Sequence, residues 1–83
     1  MKLLYFAWLR QKIGRGEEQI DVPASIETAE QLVTWLRARG AEYANAFAEQ
    51  NRVRVAINQV HADLSARVTN RDEVAFFPPV TGG

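Results

Sequence analysis

Two glycines, Gly82 and Gly83, follow Pro78-Pro79-Val80-Thr81 at the end of this 83-residue sequence, and they are where chemistry is most readily built. A glycine carboxylate can pass through a channel too narrow for a Cβ atom. An α-carboxyl, with a reference pKa of about 3.3–3.7, is ionised near neutrality and can attack an activated phosphate such as the α-phosphorus of ATP, giving an acyl-adenylate. A second nucleophile then displaces AMP. Gly83 is therefore expected to carry the reacting group into another protein's active site, with Gly82 leaving room beside it and Val80 and Thr81 touching the channel walls. Chain ends are commonly frayed and rich in glycine, and for Gly-Gly alone that is the simpler reading. Pro78 and Pro79 weigh against it. Both lack a backbone N–H and fix φ, and Pro79 biases Pro78 towards an extended conformation, so the exit is stiff and aimed. From Pro78 to Gly83 the chain can reach on the order of 20 Å.

Little else offers a reaction of its own. The sequence has no cysteine, which removes disulfides, thiolate metal sites and thiol nucleophiles together, and its single histidine, His61, cannot build a histidine metal site or a conventional nucleophile–histidine pair. No metal site is expected. Gly14-Arg15-Gly16 has the wrong spacing for a phosphate loop and no Lys-Ser/Thr after it, so no cofactor is expected on this chain and any ATP must be bound by a partner. Ten basic residues balance ten acidic ones, which disfavours nucleic acid and anionic membranes as partners. With neither a leader pattern nor a long apolar run, a cytoplasmic location is the expectation.

The elements that must position the tail can be read from periodicity. Residues 73–77 alternate, with Val74 and Phe76 on one face and Ala75 and Phe77 on the other, and the strand must stop at Pro78. Val74 and Phe76 are expected to be buried. Phe77, with His61 on a neighbouring strand, is expected to form an apolar docking patch beside the tail. Upstream, the stretch from Lys2 to Phe6 or Ala7 reads as a central strand buried on both faces, residues 8–13 as a short helix stopped by Gly14, and residues 17–22 as a strand pairing antiparallel with the first. Thr28-Ala29-Glu30-Gln31 fits a capping box that starts the main helix at Ala29, with Ala29, Leu32, Val33 and Leu36 as its buried stripe. Tyr43, Ala46 and Phe47 predict a further helical turn as a lid over the core. Val53, Val55 and Ile57 alternate with Arg52, Arg54 and Ala56 as a half-buried strand, and Asn58-Gln59 turns the chain into a short strand at residues 60–62.

The fold class is therefore α+β: a mixed sheet of four to five strands with one main helix packed across it, the β-grasp roll of ubiquitin-like domains. Residues 1–77 form the domain and residues 78–83 an extended tail.

Leu4-Tyr5-Phe6-Ala7-Trp8-Leu9-Arg10, Val55-Ala56-Ile57-Asn58-Gln59 and above all the run from Asp72 to Gly83 give this chain its resemblance to the ubiquitin-like sulfur carriers that serve as small subunits of molybdopterin synthase (molybdopterin-converting factor subunit 1). The resemblance spans nearly the whole length. It implies that Gly83 is adenylated by an activating enzyme, becomes a thiocarboxylate, and donates sulfur to cyclic pyranopterin monophosphate, which takes two sulfurs to become the molybdopterin dithiolene of the molybdenum cofactor. The chain is then no enzyme on its own. Its implied partners are the adenylating, sulfur-loading enzyme and the large synthase subunit, in a heterotetramer whose active site belongs to the large subunit. Arg71 stands where this family often places a glycine, which makes the backbone of that turn a point to check. Three other functions share the same features: a sulfur carrier for thiamine thiazole synthesis, a ubiquitin-like protein modifier, and a binding module that uses Pro78-Pro79 as a polyproline ligand. The last leaves Gly82-Gly83 without a role.

Overall fold

Strand β5, Glu73–Phe77, runs through the middle of a five-stranded mixed sheet in the computed structural model, which describes residues 1–79. It pairs in parallel with β1 (Lys2–Tyr5) and antiparallel with β3 (Arg54–Ile57). Outside these lie β2 (Glu17–Gln19), antiparallel to β1, and β4 (Val60–Ala62), antiparallel to β3, giving the order β2-β1-β5-β3-β4. A parallel central pair needs a long connection, and the intervening helices α1 (Ala7–Ile13), α2 (Ala29–Arg37) and α3 (Ala41–Ala46) lie between those two strands in sequence. The expected ubiquitin-like roll is the observed one.

Register assigns every sheet residue to a face. Leu3, Tyr5, Val55, Val74 and Phe76 all point inward and are buried, which is the pattern a half-covered strand predicts. Lys2, Leu4, Ala56, His61, Ala75 and Phe77 share the outer face. For β1 this corrects the expectation of burial on both sides, since Lys2 is exposed and Leu4 only half-buried. Its central place follows from hydrogen bonding to β2 and β5. The second strand is also shorter than residues 17–22, because pairing with β1 ends where that strand begins; two further bonds link Ile20 to Met1, the Ile20 N–H donating to the Met1 carbonyl and the Met1 amino group to the Ile20 carbonyl.

The inner face is covered by α2. Thr28 Oγ1 accepts from the Gln31 N–H while the Gln31 side chain accepts from the Thr28 N–H, the reciprocal cap expected from Thr-x-x-Gln. Leu32, Val33 and Leu36 are wholly buried. Each such burial contributes about 1.5–3 kcal/mol against about 1 kcal/mol for a cap, so packing holds the helix and the cap sets where it starts. Helix α3 closes one end of the core as the expected lid, with Tyr43, Ala46 and Phe47 all buried. Helix α1 ends at Gly14, whose φ of 89° lets its N–H reach the Arg10 carbonyl. No helix among the described residues is long and apolar enough to cross a membrane.

A buried carboxylate ties these parts together. Glu18, on the inward face of β2, accepts from the Tyr5 hydroxyl at 2.7 Å and the Tyr43 hydroxyl at 2.6 Å. Arg39 and Arg15 complete its shell at 3.3 and 3.2 Å. Burial pushes the Glu18 carboxyl up, but the bonds from Tyr43 and Tyr5 and the charge of Arg39 outweigh it and hold the carboxyl below its ordinary value.

Arg71 proves unproblematic. It is absent from the positive-φ residues, and the turn closes without glycine: the Asp72 N–H donates to the Thr69 carbonyl, Asp72 Oδ2 accepts from the Thr69 N–H, and Thr69 Oγ1 accepts from the Arg71 N–H. Left-handed non-glycine residues sit instead at Asn58 and Gln59, where a two-residue hairpin requires them, and at Ala7.

Candidate functional site

The chain leaves the sheet at Phe77, and the two phenylalanines before Pro78 divide the work of holding it. Phe76 is wholly buried, stacked with Tyr5 at 6.3 Å between centroids and meeting Phe47 edge-on at 5.1 Å. Those contacts lock the root of the tail into the core. Phe77 points the other way, half-exposed, with its ring 5.2 Å from that of His61 at 75°. His61 is exposed on β4. The expected pair is therefore brought together on the outer face, two strands apart.

Around this pair the outer face is apolar and shallow. Leu4, Ala75, Ala56 and His61 lie in one row across β1, β5, β3 and β4. Ala75 and Ala56 are only 9% and 8% exposed, yet each carries a single methyl, so the row is low at its centre and rises at its ends, Leu4 and His61. Phe6 extends the patch. It is 48% exposed, and its N–H donates to the Phe76 carbonyl at 3.1 Å, which sets it beside the point where the tail begins. Sequence reasoning placed Phe6 only as a strand end, although strand parity with Lys2 and Leu4 already directs it outward. The next residue, Ala7, has a φ of 55°, a conformation costing an alanine roughly 1–2 kcal/mol, at the corner that turns β1 into α1. Backbone strain of this kind gathers at functional sites.

Pro78 and Pro79 continue from β5 half-buried and outside any ladder. Val80, Thr81, Gly82 and Gly83, expected to enter the partner and carry the reacting group, lie outside the described residues. Among the described residues no three His, Asp or Glu side chains gather as metal ligands. The arrangement puts the end of the last strand beside an apolar face.

Comparison with known proteins agrees with this geometry. The family model described as the ThiS family matches residues 3–83. The molybdopterin synthase sulfur carrier subunit of Haemophilus influenzae is 41% identical over 83 residues, covering 100% of this chain and 99% of that protein. The protein of the same name from Escherichia coli is 37% identical, with the same coverage. Among solved structures, SAMP1 from Haloferax volcanii superposes with a TM-score of 0.73 at 25% identity, covering 100% of this chain and 98% of that one.

Proposed function

The chain belongs to the ThiS family, and from that membership we propose that it is the sulfur-carrier subunit of molybdopterin synthase. The observation that carries this reading is full-length identity of 37–41% to two proteins bearing that name, on a fold whose central strand ends at the tail. Gly83 is the reacting residue and the reading requires a free carboxylate on it. The carboxylate attacks the α-phosphorus of ATP in an activating enzyme, expelling pyrophosphate and forming an acyl-adenylate. A sulfur nucleophile then displaces AMP to leave a thiocarboxylate. In the large subunit of the synthase that sulfur passes to cyclic pyranopterin monophosphate.

The residues of this chain bind and aim. Phe76 anchors the last strand in the core, Pro78 and Pro79 stiffen the exit, and Val80, Thr81 and Gly82 form the thin lead to Gly83. Phe77, His61, Phe6 and Leu4 form the face that the large subunit covers. Such a patch, apolar at its centre and ringed by Lys2, Glu17 and Arg54, has the anatomy of a binding surface.

Intact-mass analysis tests the proposal. After incubation with the activating enzyme, ATP and a sulfur source, the C-terminal peptide should gain the mass of one oxygen replaced by sulfur. The loaded protein should then convert cyclic pyranopterin monophosphate with the large subunit. No modification by active partners would sink the carrier reading. A thiocarboxylate that fails only at the pterin step would point to thiamine thiazole synthesis instead, and covalent conjugates to lysines would point to a protein modifier.

A further inference from the structure

Basic residues are concentrated at the end of the sheet from which the tail leaves. Residues 6–16 carry Arg10, Lys12 and Arg15 without one carboxylate, and residues 50–59 carry Arg52 and Arg54 without one. These two segments flank β5 where it ends: Phe6 bonds to Phe76, and Arg54 pairs with Phe77. Five of the chain's ten cationic side chains are thus gathered at one end of a protein with no net charge. Only part of that charge is answered. Arg15 binds the buried Glu18 and Arg52 meets Glu49, while among the described residues Arg10, Lys12 and Arg54 have no carboxylate within 4.0 Å.

Two of these cations converge on one aromatic ring. Lys12 Nζ lies 5.4 Å from the Trp8 ring centroid and the Arg52 guanidinium 5.6 Å from it, one from α1 and the other from the 3₁₀ turn Gln50–Arg52. The indole holds both without neutralising either. Between them opens a cleft of about 180 Å³, also lined by Asn45, Ala46 and Glu49. Its one carboxylate, Glu49, is exposed and paired with exposed Arg52 at 3.5 Å, a contact readily exchanged for another.

We propose that Trp8, Lys12 and Arg52 form a docking cleft for an acidic segment of the large synthase subunit, engaged together with the apolar face around Phe77. Carboxylates from the partner reach Lys12 and Arg52 while an aliphatic stem lies in the cleft beside the indole. The charge lies at the root of the tail, so attraction acts on the end of the molecule that must enter the partner first. Its effect falls mainly on the association rate. The proposal rests on the synthase reading above and adds to it the chemistry of the partner's surface.

The test compares association with the purified large subunit at low and at physiological salt for wild type, the double reversal Lys12→Glu/Arg52→Glu, and a control of equal charge change, Arg67→Glu/Arg71→Glu, at the opposite end of the sheet. Far-ultraviolet circular dichroism verifies that each is folded. The Trp8-cleft reversal should slow association about tenfold or more at low salt and flatten its salt dependence, with the control within about twofold of wild type. Equal rates for the reversal and wild type at both salts would overturn the proposal, as would a control slowed as much as the reversal, or a defect confined to the activating enzyme. Sulfur loading, followed by mass in parallel, reports on the synthase reading separately: a wild-type chain that takes no sulfur overturns that reading and the cleft proposal with it.

Discussion

The Tyr43 hydroxyl donates a 2.6 Å hydrogen bond to Glu18 Oε2, joining α3 to β2 across 25 residues of sequence, and Tyr5 donates to the same oxygen from β1. Glu18→Gln keeps the shape and removes the charge, so the amide nitrogen meets donors where a carboxylate oxygen had been. Hydrogen bonds to buried charged groups contribute about 1.5–3 kcal/mol each, and Arg39 and Arg15 retain access to water. The variant should lose about 2 kcal/mol, read as a melting-temperature drop of roughly 8–16 °C for a domain this size. An unchanged melting temperature would show that the network orders the lid without stabilising it.

The same cluster fixes the sign of the pH dependence. Glu18 titrates below its ordinary value when folded, so its contribution is present above the unfolded carboxylate pKa of about 4.3 and is lost as pH falls through the folded value. Burial and the bond to Glu18 raise both Tyr5 and Tyr43, so their contribution is complete below the unfolded tyrosine pKa of about 10 and is lost as pH rises above it towards the folded values. Urea unfolding from pH 3 to 11 should show a plateau with two falling arms. Glu18→Gln should flatten the acidic arm, and an unaltered arm would assign it to other carboxylates.

Phe76 and Phe77 should separate stability from docking. Phe76→Ala empties a wholly buried site among Tyr5 and Phe47 and should cost about 3–5 kcal/mol, much of the stability of a small domain. Phe77→Ala removes a half-exposed ring and should leave urea unfolding within about 1 kcal/mol while weakening binding to the large subunit tenfold or more. Unfolding by Phe77→Ala but not Phe76→Ala would reverse the assignment of faces.

Deleting Gly82 and Gly83 should abolish sulfur loading and leave the melting temperature within about 2 °C, because the described core is complete at Phe76 and the last strand ends at Phe77. A larger fall would mean that the tail packs back on the domain.

The strands, the capping box at Thr28, the stop at Gly14 and the opposed faces of Phe76 and Phe77 were legible in the sequence, because each rests on contacts or periodicity within a few residues. The stop of the last strand before Pro78-Pro79 was legible for the same reason. Parity, however, is blind to depth. Alternation put Glu18 on the same face as Ile20 and Val22, and the one local partner, exposed Arg15 three residues upstream, does not explain a buried carboxylate there; its other donors come from Tyr5, Arg39 and Tyr43, which only the folded chain assembles. Leu4 read as core from its apolar run, yet it faces outward on a central strand because helices cover one side of the sheet alone. The Arg52 that alternation assigned to solvent meets Trp8 from 44 positions away, an encounter that required the parallel pairing of β1 with β5 to bring α1 beside the start of β3. Local chemistry chose the elements and the point where the last strand stops, and long-range pairing decided which surfaces surround that strand end.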